Sequence, residues 1–341
     1  MTPVTDRDIA TFIHGLPKAE LHVHLQGAAS VPTVLELARR HPDAGVPTDE
    51  GALRAFYDFT DFDHFIEVYI TVNNLVRTPD DVRSLVVGLG RDLAAVNARY
   101  AEVTVTPDSH LLVGIPPADL ATALTEGRDE ALRESGVELA WVYDIPGELG
   151  LESGMRTIAW AETHLPPHSV GFGLGGPEVG VPRSQFEDVF RRAADLGLRS
   201  VPHAGETTGP QSVRESIDAL GAVRIGHGIS VVDDPELMAE LVERDIVLEV
   251  CPTSNVCTRA VPSLAEHPFP ALRAAGLRLT LNTDDPGMFD TDLDREYLAA
   301  HRHFGLEAAD LADLAREAML ASFASNDTRA RVLAEIDAYA G

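Results

Sequence analysis

Eight short apolar runs recur along the 341-residue chain, and stretches with helical spacing separate many of them. The runs fall at 19–24 (AELHVH), 99–105 (RYAEVTV), 137–144 (VELAWVYD), 169–174 (SVGFGL), 198–203 (LRSVPH), 222–227 (AVRIGH), 246–250 (IVLEV) and 277–283 (LRLTLNT). Between them lie patterns such as 185–196 (QFEDVFRRAADL), 211–220 (QSVRESIDAL), 235–243 (PELMAELVE) and 269–275 (FPALRAA). Apolar residues return there every three or four positions, as on a helix buried by one face. Strand–helix alternation repeated eight times predicts the α/β class: a (β/α)8 TIM barrel of parallel strands. The stretch 28–98 after the first strand reads as a helical insert over the barrel mouth and contains DFTDFDHFIEVY. The last forty residues, from LEAADLADLAREAML onward, read as helices on the outside. No internal repeat or linker divides the chain, so residues 1–341 are expected to form one domain.

Charge and cysteine usage narrow the partners. There are 54 acidic against 27 basic residues, a net charge of −27, which repels nucleic acid and anionic membrane. Solubility is the simplest reading of that excess. No run approaches the ~18 apolar residues of a membrane span, and residues 1–15 lack the basic start and apolar stretch of a signal peptide. Two cysteines, Cys251 and Cys257, are too few for a disulfide framework and point to a reducing cytoplasm. No feature of the sequence fixes an oligomeric state.

In such a barrel the reactive groups gather where the strands end. The first strand ends in His22 and His24, which alternation places on one side of the strand. The fourth runs into Gly173–Glu178, the fifth into His203 and Glu206, the sixth into His227, and the eighth into Asp284 and Asp285. A lone histidine at a strand end is more often a hydrogen-bonded structural residue, and Asp-Asp-Pro is by default a turn and helix cap. The coincidence of five such signals at five strand ends changes that reading. Three histidines and a carboxylate suit zinc or another borderline divalent ion. His22, His24, His203 and Asp284 are therefore the candidate ligands. Such an ion lowers the pKa of bound water from about 15.7 towards roughly 7. His227 could take that water's proton or hold the hydroxide, and Glu206 could give a proton to the group under attack. Asp285 and the backbone at Gly176 remain to position a substrate. The other nine histidines read as structural or surface residues, with His64 singled out because it falls in the insert.

The motifs PKAELHVHLQG, YAEV, HAGE, RIGHG, EVCPTSNV and LNTDDPGMF follow one another through most of the chain. In that order they resemble the adenosine deaminase family of metal-dependent hydrolases. The resemblance implies a (β/α)8 barrel with one zinc per chain that hydrolyses the exocyclic amine of a 6-aminopurine and releases ammonia. It implies that His22, His24, His203 and Asp284 hold the zinc and that Glu206 protonates the ring nitrogen beside the attacked carbon. His227 would assist the hydroxide, while Gly176 and Asp285 would bind other purine nitrogens. Binuclear relatives bridge two metals with a carboxylated lysine on the fourth strand. The only lysine here, Lys18, precedes the first strand, so one metal is expected. The Pro-Cys-x-x-Cys signature of cytidine-type deaminases does not occur.

Gln26 departs from the family's usual H-x-H-L-D-G, whose aspartate accepts a hydrogen bond from the ribose 5′-hydroxyl. A hydrogen bond to a charged group contributes about 1.5–3 kcal/mol, so its loss implies roughly ten- to a hundredfold weaker use of adenosine. The alternative is that Gln26 still bonds the hydroxyl in a plain adenosine deaminase; the loss points instead to a substrate without the hydroxyl. Gly173 and Pro177, standing where adenosine enzymes tend to carry aspartates, point the same way. So does NTDDP, where free-adenine deaminases tend to read NSDDP. The favoured substrate is 6-aminodeoxyfutalosine, a benzoate-bearing adenine nucleoside of an alternative menaquinone pathway. The alternatives are adenosine itself in purine salvage, 5′-methylthioadenosine, S-adenosylhomocysteine and adenine. A non-catalytic zinc- or purine-binding protein is the alternative outside enzymes, but it is expected to have lost Glu206 or His227. An AMP-type substrate calls for a basic cluster that the strand ends lack. For a benzoate, Arg54 and Arg77 in the insert are the candidate partners.

Overall fold

The computed structural model describes residues 6–60 and 62–341. Residues 1–5, and Asp61 within DFTDFDHFIEVY, lie outside the described residues. The strands are β1 (Lys18–His24), β2 (Ala98–Val105), β3 (Glu138–Pro146), β4 (Ser169–Gly175), β5 (Arg199–Ser200), β6 (His203–Ala204), β7 (Arg224–His227), β8 (Val247–Val250) and β9 (Arg278–Leu281). All neighbours pair in parallel, in the order β1-β2-β3-β4-β5 and β6-β7-β8-β9.

The expected strand 198–203 is two pieces. Pro202 stands between them without an N–H to give to a ladder. β5 pairs back to β4 and β6 pairs forward to β7, so together they act as the barrel's fifth strand. The eighth strand ends as β9 at Leu281, short of the expected Thr283. Asp284 then closes the ring through its own backbone. Its N–H donates to His22 O at 2.9 Å, and its carbonyl accepts from His24 N–H at 2.9 Å.

Helices cover the barrel as the spacing predicts. Ala308–Ala321 buries Leu311, Ala312, Leu314, Ala315, Ala318 and Met319 and packs across β9 and β1. Asn326–Ala340 follows it on the outside. The insert divides in a way its composition did not announce. Pro79–Ala95 is an ordinary barrel helix. It starts at a Thr78–Asp81 capping box with Pro79 in the first turn and packs on Pro117–Ser135. Three shorter helices precede it, at Val31–Arg40, Glu50–Phe56 and Phe62–Asn73. Of these, Phe62–Asn73 reaches the mouth, where Phe65, Ile66, Tyr69, Ile70 and Asn73 wall one side of a pocket. Among the described residues, no helix is long and apolar enough to cross a membrane.

Candidate active site

The strand ends converge on one point. Ligand atoms of His22, His24, His203 and Asp284 all lie within 4.8 Å of one another, and all four residues are buried. His24 Nε2 and His203 Nε2 face each other at 3.1 Å. Asp284 Oδ1 stands 3.5 Å from His22 Nε2 and 3.3 Å from His24 Nε2. Buried polar atoms normally find partners, yet His22 Nε2 has none. Gly226 on β7 makes room for that ring, since a Cβ there would stand 2.7 Å from His22 Cε1.

The surroundings hold a place for positive charge. Burial disfavours a charged His22, but Asp284 and Glu249 outweigh it and raise the imidazole to about 10. Burial and the neighbouring histidines push His203 far below its ordinary value, so it stays a neutral donor. A neutral imidazole set beside a carboxylate, with an unpartnered ring nitrogen among them, fits a divalent cation. His22 is further held by His22 Nδ1 donating to Glu249 Oε2 at 2.9 Å. Behind it Arg224 pairs with Glu249 at 2.6 Å and with Glu102, carrying the buried charge chain across the barrel to β2. Ligating histidines are commonly oriented by such a carboxylate. Cys251 also approaches Asp284, but burial raises its thiol far above the usual range and keeps it protonated.

Glu206 and His227 line the same pocket as His24, His203, Asp284 and Asp285. His227 Nε2 lies 3.6 Å from Glu206 Oε2 and 3.7 Å from Asp284 Oδ2. Burial, then the Asp284 and Glu178 carboxylates, push Glu206 up to about 8, so it carries a proton at neutral pH. Burial holds His227 down, to about 4. Two of these side chains sit on backbone that L-residues rarely adopt, with φ at +61° for His227 and +65° for Asp284. Such conformations persist where the surroundings over-determine them, which is common at reactive sites.

The loop carrying Glu206 is anchored from below. Glu178 accepts from the N–H groups of Gly205, Glu206 and Thr207 at 2.7–2.9 Å and from Thr208 Oγ1 at 2.7 Å. Successive amides turned on one carboxylate form an anion nest. Buried Arg183 stands behind that carboxylate at 3.6 Å. From above, Thr258 Oγ1 donates to Glu206 Oε1 at 2.9 Å. Asp285 and Gly176 also line the pocket.

Gln26 lies outside this lining. It is buried, and its Nε2 donates to His110 Nε2 at 3.1 Å. Burial lowers His110 to about 4, leaving a neutral ring able to accept. His64 accepts from Thr60 N–H and does not line the pocket. The two arginines do not reach the pocket either, which corrects that expectation. Arg77 is engaged by Asp43 at 2.8 Å. Arg54 pairs with Glu50 at 3.0 Å and borders a separate hollow of about 310 Å³ on the barrel flank. The residues that sequence reasoning missed are the supports Glu249, Asn255, Thr258, His110 and His267, and Glu178, noted at a strand end, was given no role. EVCPTSNV was the available signal for Glu249 and Asn255, because it continues a strand into the site.

The fold and this constellation define a hydrolytic deaminase, and the chain belongs to the adenosine deaminase family, which matches residues 17–339. Among its relatives is the aminodeoxyfutalosine deaminase of Streptomyces avermitilis. The two are 52% identical over 98% of this chain and 94% of that protein. The crystal structure of an adenine deaminase from Arthrobacter aurescens superposes with a TM-score of 0.90 at 30% identity, covering 95% of this chain and 99% of its own. An amidohydrolase from Burkholderia ambifaria with bound zinc also gives 0.90, at 29% identity, covering 99% and 95%.

Proposed function

We propose that this protein hydrolyses the 6-amino group of 6-aminodeoxyfutalosine, giving the 6-oxopurine nucleoside and ammonia, and that it works with one zinc per chain. The observation that carries the reaction is a four-donor cluster, three of whose members line one pocket with the Glu206 carboxylate, whose pKa burial pushes up to about 8. His22, His24, His203 and Asp284 hold the ion. When bound, it supplies a water of lowered pKa beside the carbon that bears the amine. The bound zinc of the Burkholderia ambifaria structure supports the choice of metal.

This chain's own groups do the rest. Glu206 gives a proton to the purine ring nitrogen next to the attacked carbon, which makes that carbon electrophilic. His227, within 3.7 Å of Asp284, faces the incoming water and steadies it. Asp285 and the Gly176 backbone orient the purine. As water adds and ammonia leaves, Phe65, Ile66 and Tyr69 shield one side of the site from solvent.

The substrate assignment draws on the 52% identical relative and on Gln26. Gln26, bonded to His110 outside the pocket lining, offers no carboxylate to a ribose 5′-hydroxyl, which favours a nucleoside substituted there. We place the protein in the cytoplasm as a single domain acting on this small molecule, apart from nucleic acid and membrane. The test is kcat/KM for 6-aminodeoxyfutalosine, adenosine, 5′-methylthioadenosine and adenine on one zinc-loaded preparation. The first is expected to lead adenosine by about a hundredfold, or roughly 2.7 kcal/mol. A lead for adenosine or adenine overturns the assignment.

A further inference from the structure

His227 needs its proton on one particular ring nitrogen, and the fold contains a relay that decides which. The relay begins at a group with no choice. The backbone N–H of Phe269 can only donate, and it meets His267 Nδ1 at 3.1 Å. That nitrogen must therefore carry the lone pair. In the neutral ring the proton then sits on His267 Nε2, which lies 3.2 Å from Asn255 Oδ1. A carbonyl oxygen facing a donor fixes which way the Asn255 amide points. Its NH2 is turned to His227 Nδ1 at 3.1 Å, with Glu206 Oε1 at 3.5 Å.

His227 Nδ1 can then only accept, and its proton is on Nε2, the nitrogen that faces Glu206 and Asp284. All three links are buried: His267, Asn255 and His227 are 4%, 0% and 1% exposed. Burial keeps bulk solvent from the bonds, and a reversed amide would set N–H against N–H. His267 also packs against the Phe304 ring, at 5.5 Å between centroids, which restrains its own orientation.

We propose that His267 and Asn255 are positioning residues that set the tautomer of His227, so that an Nε2–H donor is presented to the reacting atoms at all times. The inference rests on the reading above, in which His227 faces the incoming water. It also gives a reason for Asn255 to be asparagine. Aspartate of the same shape could accept from both histidines and would move the His227 proton to Nδ1. A histidine held in the wrong tautomer by a single such exchange can lose turnover by about 10⁴ without a change in geometry.

The test uses the metal-loaded full-length protein, with ¹⁵N-labelled histidine and 6-aminodeoxyfutalosine as substrate. The His227 signals are identified by their loss in His227→Gln. In the unmodified protein they should show a pyridine-type Nδ1 and a pyrrole-type Nε2. Asn255→Asp should exchange the two, with kcat falling about a hundredfold or more, KM within about threefold and metal content unchanged. His267→Phe keeps the bulk and the packing on Phe304 and should give a mixture of tautomers with an intermediate kcat. A proton on Nδ1 in the unmodified protein overturns the proposal, and so does Asn255→Asp with unchanged signals. If His227→Gln turns over at the parent rate, the catalytic reading itself is wrong. The nitrogen signals still report the tautomer in that case, so the two failures are told apart.

Discussion

The pocket has two walls built on different plans. On the strand-end wall four reactive elements are tied to something behind them, while His203 Nδ1 and Asp285 Oδ1 are buried without a partner. His22 is held by Glu249, His227 by Asn255, the Glu206 loop by Glu178, and Asp284 by Ser254 at 2.6 Å. On the insert wall the packing is apolar and looser. Phe65 packs edge-on against Phe59 at 5.3 Å, and Ile70 is 52% exposed. A wall of charged, mutually bonded groups has one arrangement, whereas an apolar helix face can repack at small cost. We propose that bond-breaking belongs to the bonded wall and that the apolar wall contributes to the choice of nucleoside.

Metal removal strikes the first wall hardest. Dialysis against a chelator should lower turnover by about 10³-fold or more, and stoichiometric zinc should restore it, followed by elemental analysis alongside rate. Full activity in metal-free protein would erase the distinction between the walls.

The next effect is on stability, behind the strand-end wall, where His110 meets Gln26. His110 is buried and neutral, with its pKa depressed to about 4 from an ordinary 6.5. Between those values the unfolded chain binds a proton that the folded protein refuses. Stability is therefore lost as pH falls from about 6.5 to 4, by roughly 3 kcal/mol at most. Denaturant midpoints for the parent and His110→Gln should converge across that window. Parallel curves would mean that His110 takes its proton without unfolding.

The smallest effect belongs to the insert wall. Tyr69→Phe and Ile70→Ala should leave kcat within about twofold while raising KM by about threefold, in proportion to the side-chain surface removed from the pocket. Their relative use of 6-aminodeoxyfutalosine and adenosine should shift. A drop in kcat with KM unchanged would place this helix in the chemistry.

The same division separates what the sequence disclosed from what it did not. Barrel strands and the side chains that gather at their ends were legible because both obey local rules: alternation along a strand, and a polar residue where the strand stops. His22, His24, His203 and Asp284 needed only that rule to be found. Their supports were hidden because they are tertiary. Glu249 is 227 positions from the histidine it orients, and His110 is 84 positions from Gln26. His267, one of nine histidines set aside as structural, meets Asn255 only after an intervening loop folds back. The insert misled in the opposite direction. Arg54 and Arg77 looked available for a benzoate, but each has an acidic neighbour closer than the pocket. Pro202 could have warned that the fifth strand would break, since its missing N–H is visible in the sequence.

The most direct measurement is turnover of 6-aminodeoxyfutalosine by Glu206→Gln with zinc bound. The amide keeps the shape and the hydrogen bond from Thr258 but carries no acidic proton. The account predicts a kcat lower by about 10²–10⁴-fold, one zinc per chain retained, and KM little changed. Turnover close to that of the parent would contradict it, because the proton would then reach the purine from elsewhere.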